Sequence, residues 1–488
     1  MEVAALRRSG LALPRGVARS ERAGRMALGA MVAAAAVLVL ISSARPGALS
    51  PPTRGGFEDW LVGPFAGVAE AWPDDPVLDS AAFSGLVALM FACWLVVAST
   101  ARALGPRTVL AGVGLLHALF LLGPPLPLTD VFNYLNYARL GVEHGVNPYV
   151  VVPAMHPGDP TYDHATWHHL LSPYGPLFTL ASYALVPLGV AGGYWALKLV
   201  TVAASLGCLA LLWRLAERRG VDPLWAVAFV GLNPLVLVYG VGGIHNDFLM
   251  LALILAGIGA VLTQRPARAG ASLVTAAALK GSAGLVLPFA LIGTARRERA
   301  GGGGPLRETV LRGGDRDGRR MLIGAGLAGA ALLAVSVVAF GLNGPGLDTQ
   351  SSLVTPLSPA NLLGLLLGQG GATEWVRIGT KVALVVALAV LLRRAWRGAD
   401  WIATAGWAML ALVVSLTWEM PWYVAWVLPL AVLGRSARLR RATIVLTAFL
   451  LVTLTPMTGY LLTHACHCNP SDTDTGKRNA IEIRKHLK

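Results

Sequence analysis

The sequence predicts an all-α, polytopic transmembrane helix bundle, and three observations predict it. Hydrophobic residues make up 55% of the 488 and charged residues only 14%, far fewer than the roughly 25% that a water-facing surface uses. The apolar residues gather in runs of the length a bilayer crossing needs, about 20 residues for a core of about 30 Å. The basic residues gather in the short stretches between those runs, which is the bias of cytoplasmic loops. That gathering accounts for the net charge of +14 without nucleic acid as a partner.

Taken in order, residues 1–25 form a basic N-terminus with six Arg against two Glu, expected on the cytoplasmic side. No clear cleavage site follows the apolar run at 26–44, so it reads as a retained first helix and not a signal peptide. The loop 45–79 is acidic (Glu58, Asp59, Glu70, Asp74, Asp75 and Asp79 against Arg45 and Arg54) and reads as external. Apolar runs follow near 80–100, 108–128, 174–190, 193–215, 224–241, 247–264, 270–292, 321–342, 376–394, 401–417, 421–434 and 442–463, with a short apolar helix near 361–368. About 11–13 of these are expected to span or re-enter the membrane. Basic linkers lie at Arg102/Arg107, Arg214/Arg218/Arg219, Arg265/Arg268, 294–320, Arg393/Arg394/Arg397 and Arg435 to Arg441.

Strict alternation leaves two of those linkers outside. If 174–190 and 270–292 each dip in and return, every basic linker lies inside. Pro176, Pro187 and Gly189 interrupt the first segment, Lys280-Gly281 and Pro288 the second, and broken helices are tolerated where protein buries them or a cavity is lined. Residues 294–320 hold Gly301 to Gly304 and eight Arg and read as a flexible cytoplasmic loop. Residues 464–488 read as a polar tail. Within it, Cys466 and Cys468 beside His464 and His467 lack the paired spacing of a zinc site. Cys93 and Cys208 read as packing residues.

Four polar features interrupt the apolar pattern. The outer loop 129–173 opens on Asp130, placed to begin a helix over Val131 to Gly141. Helical spacing puts Asp130, Tyr134 and Tyr137 or Asn133 on one face, and the amphipathic pattern predicts a helix in the interface plane. His164, His168 and His169 would meet a metal only if helical, and no matching carboxylate accompanies them. Trp167 and Tyr174 suit the headgroup level. The second feature, Gly242-Gly243-Ile244-His245-Asn246-Asp247, places three polar side chains between apolar runs, which is costly unless they face a cavity or the outer surface. The third is Lys280, which at membrane depth needs an anionic partner such as Asp247, Glu419 or a bound phosphate, or a short helix along which to snorkel. The fourth is Trp418-Glu419-Met420-Pro421-Trp422-Tyr423, read as aromatic anchoring with Glu419 a further lining residue.

In this order the pieces resemble the GT-C glycosyltransferases that use polyprenyl-phosphate sugars, in particular the actinobacterial polyprenol-phosphate-mannose-dependent α-1,6-mannosyltransferases. The matching residues are Asp130 with Tyr134 and Tyr137, Gly145-Val146-Asn147-Pro148-Tyr149, Ser172-Pro173-Tyr174-Gly175-Pro176-Leu177, Asn233-Pro234, Gly243-Ile244-His245-Asn246-Asp247 and Lys280. The resemblance covers about residues 108–463. It implies a multi-pass protein of the plasma membrane whose extracytoplasmic site moves a hexose, mannose before arabinose or glucose, from a polyprenyl-phosphate donor to a glycan or glycolipid acceptor. It implies inversion in one displacement, with Asp130 as the base. Lys280 is the first candidate to stabilise the leaving phosphate, followed by Arg139 and His245, while His245 and Asp247 are candidates for holding sugar hydroxyls. Asn147, Tyr149, Tyr174, Asn246 and Glu419 complete the expected substrate-binding set. No cofactor is firmly implied, and a divalent cation is left open. The competing reading is a transporter or lipid-linked sugar flippase, since broken helices and an intramembrane lysine suit it too; the large outer loop with Asp130 favours the transferase.

Overall fold

A computed structural model describes residues 15–45, 58–68, 71–126, 130–165, 167–300, 316–346 and 353–462. Cys466, Cys468 and the rest of the tail fall outside them, as do residues 1–14 and the middle of the 294–320 loop. The described residues are helical and contain no strand. Five stretches are long and apolar enough to cross a membrane by length and composition.

The chain enters through α1 (Arg15–Ser42), α2 (Pro76–Leu104) and α3 (Pro106–Leu122). The loop segment α4 (Asp130–Val142), the short α5 (Pro176–Ser182) and a 3-10 stretch (Tyr183–Leu188) lead to α6 (Gly189–Arg218). Next come α7 (Pro223–Gly231) with a π-helical turn (Val236–Val241), α8 (Asp247–Leu262), α9 (Pro266–Leu279) and α10 (Val286–Ala300). The last part comprises α11 (Arg316–Phe340), α12 (Pro359–Leu366), α13 (Glu374–Trp396), α14 (Trp401–Ser415), α15 (Val424–Leu433) and α16 (Ala437–Thr453).

Polar starts and stops decide many of these boundaries. Asp75, Asp222 and Asp400 each accept two backbone N–H bonds at the head of α2, α7 and α14, and each sits at an N-cap where such bonds satisfy orphan donors. Asn233 is buried inside the bundle. Its Oδ1 accepts from the N–H groups of Leu235 and Val236, and its Nδ2 donates to Thr447. Asn233-Pro234 is therefore a helix junction within the core.

The basic linkers meet at one end. Arg102 pairs with Asp222, and Arg219 with Asp400. Arg296 donates to the carbonyls of Ala395 and Ala399, and Arg440 lies over Trp225. The broken segments explain how. Gly270 on α9 and Thr294 on α10 both sit against Met321 of α11, so α9 and α10 form a hairpin whose tip is Lys280-Gly281. The α5 and 3-10 segment stays at the opposite end: Tyr183 packs on Gly141, and Tyr194 and Trp195 at the start of α6 bond to the backbone of Leu61 and Trp60. Both interrupted runs therefore leave every basic linker on one side. The second enters and returns as a hairpin of two helices, because the backbone breaks at Lys280 (φ −154, ψ 120).

Several short passes are buried by their neighbours; every residue of α15 is buried. Lipid-facing apolar residues lie instead on α11 and α13, where Val338, Val382 and Val385 are exposed. At 1.5 Å per residue, the 16 residues of α8 and 14 of α9 reach about 24 and 21 Å, short of the roughly 30 Å bilayer core. Asp247 and Lys280 stand at the tips of these two short helices.

One expectation fails here. The α4 helix is not an interfacial surface helix: Asn133, Tyr134, Asn136 and Tyr137 are buried along with its apolar residues. The folded 144–175 loop and α6 cover the face that the amphipathic pattern assigns to water.

Candidate active site

Asp130 begins α4, and the Tyr174 hydroxyl donates to its Oδ1 at 3.0 Å. Tyr174 is packed edge-on against Tyr134 (centroids 4.7 Å) and Tyr137 (5.9 Å). Tyr174 thus stands between Asp130 and the two tyrosines, and the Tyr137 hydroxyl donates to the Leu170 carbonyl at 2.9 Å. Burial first, then the charge of Asp130, hold the Tyr134, Tyr137 and Tyr174 hydroxyls above the usual phenol range, so they act as neutral hydrogen-bonding groups.

The second constellation arrives at the same place. The backbone N–H of Asn246 donates to the Tyr134 hydroxyl at 3.4 Å. Gly242 and Gly243 let the chain turn here, since a Cβ on either would strike the carbonyls of Val238 or Tyr239. Ile244 takes φ 58, an outlier for a β-branched residue that costs about 1–3 kcal/mol. This strained turn aims His245 and Asp247 inward; both are buried.

Asp247 is the hub. Its Oδ1 accepts from Lys280 Nζ at 2.8 Å and from Trp426 Nε1 at 2.6 Å. Lys280 lies 5.1 Å from the Tyr423 ring centroid and 4.9 Å from that of Trp426. Its side chain keeps 29% exposure. Tyr134 links Asp247 to Asp130: its hydroxyl accepts from the Asn246 N–H beside Asp247, and its ring packs edge-on against Tyr174, whose hydroxyl meets Asp130. His245 stacks on Trp422 (3.6 Å, 12°), and burial pulls its imidazole down to about 4, so it is neutral at pH 7. His245 Nε2, Asp247 Oδ2, Glu419 Oε1 and Trp422 Nε1 are buried without partners among the described residues. Such orphaned polar atoms are costly unless a ligand or water meets them.

Sequence reasoning missed Trp422 and Trp426 as site residues, because the 418–423 cluster reads as an interfacial anchor. Their spacing (i, i+4) puts both on one helical face with Tyr423 between, and that was the available signal.

Other expected residues serve the frame. Arg139 donates from Nε to both oxygens of buried Asp159 at 3.0 Å, away from Asp130 at the far end of α4. Asn147 caps Tyr149 through its Oδ1 and ties to the Phe340 carbonyl. The Tyr149 hydroxyl bonds the Tyr174 carbonyl and Thr179, supporting Tyr174 from behind. The 162–169 segment is not helical beyond a 3-10 turn at Tyr162–His164. His164 stacks on Phe132 and His168 on Tyr162, so they do not converge. Among the described residues no three His, Cys, Asp or Glu side chains gather as metal ligands.

Two predictions follow from this packing. A Cβ on Gly175 would collide with the Ala278 and Leu279 carbonyls beside Lys280. Gly175→Ala should therefore lower the melting temperature and weaken activity together, by moving Tyr174 off Asp130; an unchanged melting curve would remove Gly175 from the frame. Burial pushes Glu419 up to about 8. Between the ordinary carboxyl range and about 8 the folded state holds a proton that the unfolded state has released, so stability falls as pH rises through that window. Glu419→Gln should flatten the fall, read as melting temperature against pH from 5 to 9 in detergent.

Similarity to known proteins bears on the same residues. A family model described as "Alpha-(1->6)-mannopyranosyltransferase, N-terminal domain" matches residues 28–296, and one described as "MptB C-terminal domain" matches 357–468. The chain is 33% identical over 352 residues to alpha-(1->6)-mannopyranosyltransferase A of Mycobacterium tuberculosis, covering 67% of this chain and 64% of that protein. It is 29% identical over 375 residues to a probable alpha-(1->6)-mannopyranosyltransferase of Mycolicibacterium smegmatis, covering 67% and 65%. A third relative, alpha-(1->6)-mannopyranosyltransferase A of Corynebacterium glutamicum, is 28% identical over 172 residues, 34% of each chain. The matched region thus spans just under two thirds of the first two relatives. No solved structure matches at a significant level.

Proposed function

This chain belongs to the alpha-(1->6)-mannopyranosyltransferase family, and from that premise we propose that it transfers mannose from a polyprenyl-phosphate donor to a glycan or glycolipid acceptor, with inversion. The observation that carries the reading is that Tyr134 joins Tyr174, the partner of Asp130, to the turn that presents the Asp247–Lys280 pair.

The chemistry divides among these residues. An acceptor hydroxyl is a weak nucleophile, and Asp130 accepts its proton as the oxygen attacks the anomeric carbon. The bond from that carbon to the phosphate oxygen breaks, and its electron pair leaves with the phosphate. One carboxylate acting as base suits a single displacement, and hence inversion. The departing phosphate needs a cation more than a proton, and Lys280 supplies it. Asp247 and Trp426 position Lys280, while the unpartnered atoms of His245, Trp422 and Glu419 offer hydrogen bonds to the sugar.

A site at the tips of short helices suits a donor whose lipid stays in the bilayer. The arginine bias makes the basic end cytoplasmic and the site end extracytoplasmic, in the plasma membrane. The test is purified protein with labelled polyprenyl-phosphate-mannose and a mannan acceptor, followed by linkage analysis of the product. Formation of an α-linked mannoside supports the reading. Movement of intact donor across a vesicle membrane without cleavage would support a flippase and overturn it.

A further inference from the structure

The basic end holds a cavity that the transfer reaction does not use. It is an open cleft of about 480 Å³ lined by Ser99, Arg102, Asp222, Trp225, Arg435 and Arg440, among others. These residues come from the end of α2, the start of α7, the α15–α16 linker and the first turn of α16, so the pocket is built by tertiary packing and not by one charge run.

Three guanidinium groups here face a single carboxylate, and that carboxylate is committed. Asp222 accepts from Arg102 and, through its Oδ1, from the N–H groups of Leu224 and Trp225. The Arg440 guanidinium lies 5.4 Å from the Trp225 ring centroid, a contact that orients it without neutralising it. Neither Arg435 nor Arg440 has an ion-pair partner among the described residues. Arg435 also takes φ 54, an unfavourable conformation for a side chain, and Trp225 gives the cavity an apolar wall. The positive-inside bias alone asks only for scattered exposed arginines; it asks for neither a cavity nor a strained arginine lining it. The mouth adjoins the exposed apolar strip of α2, where Leu89, Leu95 and Val96 face outward, so a headgroup could enter from the bilayer.

We propose that this cavity binds a phosphate-bearing anion, either an anionic phospholipid headgroup or free phosphate, with Arg435 and Arg440 as its ligands. Guanidinium forks match phosphate oxygens, and basic pockets between transmembrane helices recognise lipid phosphates through the same charges. The site is independent of the mannosyl-transfer reading, because it lies at the opposite end of the bundle.

The test is native mass spectrometry on the full-length protein, incubated with phosphatidylglycerol or phosphatidylcholine, with and without millimolar inorganic phosphate. Wild type should keep phosphatidylglycerol under activation that strips phosphatidylcholine. The double variant Arg435→Asn/Arg440→Gln should weaken that retention about tenfold or more; Asn is chosen because it tolerates the left-handed backbone. Ser99→Leu narrows the mouth without changing charge and should cause a similar loss, which keeps the test alive if the double variant fails to fold. Retention that phosphate does not displace assigns the site to lipid. Displacement by phosphate assigns it to a soluble anion. Equal retention of the two lipids with no effect of phosphate, or unchanged retention in the folded variants, overturns the proposal.

Discussion

Asp130→Asn is expected to lower single-turnover transfer from polyprenyl-phosphate-mannose by on the order of 10²-fold or more, with membrane insertion and donor binding kept. Asparagine has the same shape, and its side-chain oxygen still accepts the Tyr174 hydroxyl that holds Asp130 Oδ1 at 3.0 Å. What it loses is the ability to take a proton from the acceptor hydroxyl. Tyr174→Phe provides the companion measurement: it leaves the carboxylate but frees its orientation, so its loss should be smaller than that of Asp130→Asn. The measurement needs purified protein whose melting curve matches wild type. An Asn variant with near-normal rates would remove Asp130 from the chemistry and move the base to Asp247 or Glu419.

Lys280→Ala is expected to cost on the order of 10²–10³-fold in turnover, the scale for removing a preorganised charge-stabilising group. Lys280→Arg, which keeps a cation, should lose less. The alanine variant also leaves buried Asp247 with Trp426 as its remaining donor. Stripping one partner from a buried pair costs about 3–5 kcal/mol, and partial exposure of Lys280 sets the expectation toward the lower end. Stability and catalysis are separated by the double variant Asp247→Asn/Lys280→Met, which removes both charges. It should recover most of the melting temperature and none of the activity. If it recovers activity, or if the Arg and Ala variants fail equally while folding normally, Lys280 is a packing residue and the leaving phosphate is stabilised elsewhere.

The helix bundle was legible because its cause is local. A run of apolar residues must become a helix in lipid to satisfy its own backbone, so composition and run length suffice to predict it. The clustering of basic linkers was legible for the same reason, and it correctly implied that two interrupted runs keep all of those linkers at one end. The α4 helix shows where that reasoning stops. Its polar residues Asn133 and Asn136 promise a wet face, yet both are buried, because the loop and the α6 helix that cover this face return from later in the chain.

At the site, the sequence by itself determined which residues were too expensive to be there without a purpose. Asp130, His245, Asp247, Lys280 and Glu419 each stand against an apolar background, and burial of polar groups is costly wherever it occurs. Only the tertiary structure decided their partners. Spacing cannot say that Lys280 pairs with Asp247 instead of Glu419, or that Trp426 completes the hub from a helix 179 residues away from Asp247. Nor can it say that Arg139 is spent on Asp159. A partner is chosen by which helix tips end at the same depth, and depth follows from where α8 and α9 start and stop against neighbours distant in the chain. The energetic demand is written residue by residue, whereas the geometry that meets it exists only once the bundle has closed.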